Sequence, residues 1–102
     1  MTGAEASVQL RDGALVVTGQ VDADSVLALR ARGEQLIRQA EADLVVDLSG
    51  LETAHSVVLS MLLCWRRLAA ESGRQLRFRG VSERLASLAA LSNLGGQLTR
   101  AD

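Results

Sequence analysis

The feature that most constrains this chain is the stretch from residue 43 to residue 80. It opens with "DLVVDLSG" (43–50), a compact aliphatic run ended by Ser-Gly. After a short loop comes "SVVLSMLLCWRRLAAES" (56–72), too long for one strand and closed by Gly73, a residue suited to a helix C-terminal cap. "RQLRFRG" (74–80) then alternates strictly, with Leu76 and Phe78 on one side and Arg77 and Arg79 on the other. That is the period of a half-buried strand. Strand, helix and strand in such close succession point to a helix packed on a sheet.

The flanking segments extend this pattern. Ser7–Leu10 and Ala14–Thr18 are short β-prone runs on either side of Arg11-Asp12-Gly13, a hairpin signal. Asp22 or Asp24 can cap a helix beginning near Ser25, with Val26, Leu29, Leu36 and Ile37 on one face. The 43–50 run reads as a central strand buried on both faces, with Leu44 to Leu48 in the middle of the sheet. Asp47 in that apolar run should lie near the strand's end or meet a hydrogen-bond partner. Ser82-Glu83-Arg84 starts a third helix with Leu85, Leu88 and Leu91 at helical spacing and Asn93 near its end, and a last short strand is expected around Gln97 to Thr99. The expectation is one α/β domain over residues 1–102, a mixed β-sheet with helices packed mainly on one face.

Composition removes several functions. Eleven cations, all arginine, face twelve carboxylates for a net charge of −1, and one Trp, one Phe and no Tyr leave little to stack on bases, so no nucleic acid is expected. The N-terminus, "MTGAEASVQL", has neither a basic start nor an apolar stretch, so no signal peptide is expected. The longest nearly apolar run, Val57 to Trp65, stops at Arg66-Arg67 and is too short to span a bilayer. A lone cysteine, Cys64, suits a cytosolic setting.

Chemistry is equally sparse. His55 is the only histidine and Cys64 the only thiol, too few ligands for a metal site. Ser56 follows His55 directly, but adjacent residues rarely aim their side chains at each other as a nucleophile and base must. Gly95-Gly96 has no P-loop lysine near it, since the chain has no lysine. No catalytic residue and no cofactor is therefore expected. Ser56 alone could be a helix N-cap, or a cap that also borders a contact.

The second helix bears on that choice. At 100° per residue, Ser60, Arg67 and Glu71 span a polar arc only about 40° wide. Val58, Leu62, Trp65 and Ala69 mark the direction of the sheet. Val57, Met61, Cys64 and Leu68 carry the apolar surface well round the other side. Either the third or the first helix covers this excess, or it is an exposed strip for a protein partner, with Thr53, His55 and Ser56 as its polar edge.

At these residues the sequence resembles a known family. Residues 44–94 are similar to a STAS domain, the fold of bacterial anti-sigma-factor antagonists. Its pattern is a buried strand ending in Asp-Leu-Ser, a hydroxyl at a helix start, an aliphatic helix, a second strand and a last helix. The match runs through Asp47, Leu48, Ser49, Leu51, Ser56, Leu59, Leu62, Leu63, Gly73, Leu76, Gly80, Val81, Leu88 and Leu94. In those antagonists a partner kinase phosphorylates the hydroxyl at the place of Ser56, which makes Ser56 a candidate phosphorylation site. His55 stands where an acidic residue is usual, and Val58 where a small one is. Among STAS domains, "DLSGLETAHS" and "LRFRGVSERLASLAALSNL" are most similar to the cytoplasmic subunit of the bacterial phospholipid ABC transporter that maintains outer-membrane lipid asymmetry. That likeness implies the transporter's ATPase subunit as partner, met through the helix that starts at Ser56. The inner membrane would be reached only through that partner. The two expectations for function are thus a non-catalytic transporter subunit and a phospho-switched anti-sigma antagonist.

Overall fold

The computed structural model describes residues 6–53, 55–98, 100 and 101. Strands β1 (Ser7–Arg11) and β2 (Ala14–Gly19) form the hairpin, with Arg11 opposite Ala14. Its turn residues Asp12 and Gly13 both have left-handed φ (49° and 78°), the geometry that matches the twist of flanking strands. Helix α1 (Val26–Gln39) follows, then β3 (Leu44–Leu51), α2 (Ser56–Glu71), β4 (Leu76–Arg79) and α3 (Glu83–Leu91). The sheet order is β1-β2-β3-β4, antiparallel at the hairpin and parallel thereafter. The mixed sheet of the sequence reading is present, with β2 and β3 at its centre.

Both crossovers, β2–α1–β3 and β3–α2–β4, step the same way across the sheet. Right-handed connections therefore put α1 and α2 on one face. Burial shows it directly. Val8, Leu15, Val17, Val46, Leu48, Leu76 and Phe78 point to the helices and are buried, while Val16, Val45 and Asp47 on the opposite face are only half-buried. This corrects the expectation for residues 43–50: the strand is covered on one face, because the connections leave no helix for the other.

Local signals set most element ends. Ser82 caps α3, its hydroxyl accepting the Leu85 N–H at 3.1 Å. Helix α2 ends in a Schellman motif: Gly73 has φ +74°, its N–H reaches the Ala70 carbonyl (3.0 Å), and Arg74 N–H reaches Ala69 (2.8 Å). Asn93 repeats the motif for α3, with Leu94 N–H on the Ala89 carbonyl at 2.7 Å. At α1 the capping expectation changes. Ser25 is the N-cap and makes no side-chain cap bond, and Asp22 instead closes the preceding turn by accepting the Asp24 and Ser25 N–H groups, each at 2.9 Å. The Ser25 backbone and side-chain bonds hold the Asp22 carboxyl below its usual range.

Two C-terminal expectations also change. Leu91 is 85 % exposed rather than packed, because α3 turns it away from the sheet. Gly95–Gln97 form a 3-10 turn, and the strand-like contact comes later, where Arg100 bridges Phe78 in parallel and Ala101 N–H bonds the Phe78 carbonyl at 2.9 Å. Thr99 lies outside the described residues.

Helices α1 and α2 meet at one tight crossing. Trp65 of α2 is fully buried against Gly33 of α1, and its indole N–H donates to the Arg30 carbonyl at 3.1 Å. A Cβ at Gly33 would fall well inside contact distance of the indole ring. Trp65, sheet-facing by periodicity, thus also packs on the neighbouring helix.

Candidate functional site

The strand ends that precede α2 and α3 build one rim of the domain. Asp47, deep in β3, accepts from Ser49 twice, from the backbone N–H at 2.9 Å and the hydroxyl at 2.6 Å, and pairs with the Arg79 guanidinium at 3.0 Å. The expected partner for this carboxylate is therefore present. The Ser49 bonds chiefly, with Arg79 adding to them, hold the carboxyl below its usual range. Gly80 sits directly behind: a Cβ there would lie 2.7 Å from the Ser49 nitrogen, so only glycine lets β4 leave the sheet at this point.

The loop after β3 is fastened to the loop after β2. Glu52 N–H bonds the Gly19 carbonyl at 2.9 Å, and the Val21 N–H donates to Thr53 Oγ1 at 3.0 Å. Thr53 is half-buried and serves as a strut. Between this loop and the start of α3 lies a shallow cleft of about 220 Å³ lined by Leu51, Glu52, Thr53, Ser82 and Arg84.

His55 and Ser56 stand beside the cleft, both exposed. The N-cap of α2 is His55, in extended conformation, with its carbonyl accepting the Val58 and Leu59 N–H groups, and no side chain caps the helix. Ser56 is thus the first helical residue and not the cap. That overturns the expected cap, whether alone or combined with a contact.

Of the four apolar residues expected along an exposed strip, the structure moves one into the core. Met61 is 1 % exposed, and the expectation of a partner contact there is overturned. The physical reason is the Gly33–Trp65 crossing, which draws α1 in over that flank of α2. Val57, Cys64 and Leu68 stay half-buried, and Cys64 and Leu68 line the floor of a groove between Arg30, Glu34 and Arg38 of α1 and Arg67 and Glu71 of α2. The surface around Ser56 is completed by two residues that the sequence reading did not assign to it, Ser60 (exposed) and Leu63 (half-buried). Their spacing from Ser56, four and seven residues, is the signal that would have found them. From Ser56 to Trp65 α2 carries no ionisable Asp, Glu, Lys, Arg or His side chain. Among the described residues no cluster of three or more His, Cys, Asp or Glu could hold a metal ion, and no helix is long and apolar enough to cross a membrane.

A family model described as "Mlab, STAS domain" matches residues 5–100. The chain belongs to this STAS family. No curated protein sequence matches it. Solved STAS structures share its fold. The anti-sigma factor antagonist SpoIIAA in its unphosphorylated form is 18 % identical, with a TM-score of 0.73 over 96 % of this chain and 89 % of its own. An anti-sigma factor antagonist from Mycobacterium paratuberculosis is 25 % identical, with a TM-score of 0.66 over 99 % of this chain and 87 % of that one. A STAS domain described as an antisigma-factor antagonist from Rhodobacter sphaeroides is 20 % identical, with a TM-score of 0.62 over 79 % of this chain and 94 % of its own. The STAS family match covers the hairpin and α1 as well as residues 44–94.

Proposed function

We propose that this STAS domain is the non-catalytic subunit of an Mla-type phospholipid ABC transporter, in which it binds and stabilises or regulates the cytoplasmic ATPase subunit. On this reading it sits at the cytoplasmic face of the inner membrane through that partner alone. The observation that carries the reading is the MlaB-type family match over residues 5–100. An uncharged, exposed start to α2 supports it, since such a surface can be desolvated at low cost by a docking protein. The contact surface comprises His55, Ser56, Val57, Ser60 and Leu63, with Cys64 and Leu68 at its flank and Thr53 bracing it from beneath.

A second reading, an anti-sigma antagonist switched by phosphorylation of Ser56, draws on the likeness to SpoIIAA and on the exposure of the Ser56 hydroxyl. His55 in place of the usual acidic residue, and the fully buried Val58 in place of a small one, weigh against it. Co-expression with the ATPase subunit of an Mla-type transporter separates the two. The wild type and Ser56→Ala should co-purify with it, while Ser56→Asp should lose affinity, because a carboxylate at the contact must be desolvated. If no ATPase is retained, and intact mass shows Ser56 phosphorylated in cells, the antagonist reading takes its place.

A further inference from the structure

The helices pack on one face of the sheet, and no described element covers the other. Across that open face the strand register sets Arg11, Ala14, Val45 and Arg77 side by side in one row. The next row runs Gln9, Val16, Asp47, Arg79. Val16 and Val45, both half-buried, form a floor two strands wide, about 10 Å, beside the buried Ala14. Arg11 stands on the β1 edge and Arg77 and Arg79 on the β4 edge, about 14 Å apart across the four strands. All three arginines are exposed. Among the described residues, the carboxylates on this face are Asp47, already engaged by Ser49 and Arg79, and Asp43 at the lower rim, which accepts the Gln75 N–H at 2.8 Å. Asp12 lies beyond, in the hairpin turn.

A floor about 10 Å wide between cationic rails has the dimensions of an α-helix with its side chains. We propose that this face docks an amphipathic helix of another protein, its apolar stripe on Val16 and Val45 and its flanks carrying Asp or Glu toward Arg11 on one side and Arg77 on the other. A second copy of this chain supplies no helix flanked by carboxylates on both sides, since α1 turns Arg30, Arg32 and Arg38 to solvent, α2 exposes Arg67 beside Glu71, and α3 exposes Arg84 beside Glu83. A lipid surface fits less well, because the large exposed apolar residues, Leu10, Leu27 and Leu91, are on the helix side and nothing apolar protrudes from the open face. The surface is opposite α2, so it is independent of the contact proposed for the transporter ATPase.

The probe is a synthetic helical peptide of about 14 residues, four turns, with a Leu/Ala stripe flanked by Glu, beside a Lys-flanked counterpart. Titrated into the labelled domain, the Glu peptide should bind saturably and shift the backbone amide signals of Val16, Val45 and Arg77. Its affinity should fall steeply between about 0.05 M and about 0.5 M salt, and the Lys peptide should not bind. The Arg11→Glu/Arg77→Glu variant should lose at least about tenfold in affinity, and Arg11→Gln/Arg77→Gln a smaller but clear fraction of that. The neutral variant carries the test should the acidic one not fold by circular dichroism. The proposal is overturned if the Glu peptide does not bind, if it binds wild type and charge variants equally, or if the Lys peptide binds as well. Binding of phosphatidylglycerol vesicles through these arginines, with no peptide binding, would replace the helix by a lipid surface.

Discussion

Gly33→Ala tests the seam that decides the shape of this domain. The added methyl would enter the buried indole of Trp65, reaching 2.6 Å from Nε1 and closer still to the ring carbons. Overpacking of this kind costs about 1–3 kcal/mol, and the fully enclosed ring, which cannot swing into solvent, places the cost near 3. Displacing the ring also weakens the indole bond to the Arg30 carbonyl, a loss of about 1 kcal/mol. Alanine returns about 1 kcal/mol through better helix propensity. The last two offset each other, leaving a net loss of about 3 kcal/mol. For a domain of this length that lowers the thermal midpoint by roughly 12–20 °C. Trp65 is the chain's only tryptophan, so urea unfolding followed by its fluorescence reads the seam itself. The reasoning fails if Gly33→Ala is as stable as wild type, or more stable by the propensity term. A Gly33→Ala/Trp65→Leu double variant should be less destabilised than the two single losses combined, because the shorter side chain makes room for the methyl.

Three further outcomes follow from the same contacts. Met61→Arg buries an unpaired charge and should unfold the domain, a loss of more than about 4 kcal/mol seen by circular dichroism; a folded variant with an unchanged midpoint would return Met61 to the surface. Ser82→Ala removes the α3 cap and should cost about 1 kcal/mol in urea titrations, whereas Ser56→Ala, at a position that is not a cap, should cost almost nothing. The depressed Asp47 carboxyl contributes stability that is complete above the ordinary Asp range near pH 4 and is lost as pH falls through its lowered folded value. Stability curves of wild type and Asp47→Asn should therefore converge below about pH 4, and parallel curves down to acid pH would show that the Ser49 and Arg79 contacts do not favour the charged form.

Much of this protein was legible as a string because the signals are local. The hairpin turn at Asp12-Gly13, the α3 start at Ser82, and the helix ends at Gly73 and Asn93 each depend on residues within a turn of one another, and each lies where the pattern puts it. The inward alternation of Leu76 and Phe78 is likewise a property of one strand. What periodicity yields for α2 is an angle, and an angle does not say which neighbour fills it. Met61 and Leu63 both looked like members of an apolar helix, and which of them went into the core depended on how closely α1 could approach. A glycine thirty-two residues upstream of Trp65 settles that distance, through a contact that no local pattern announces. The open sheet face has the same origin. Strand composition made β3 look buried on both sides, and only the common direction of its two crossovers, a property of the whole topology, left Val16 and Val45 uncovered between their arginines.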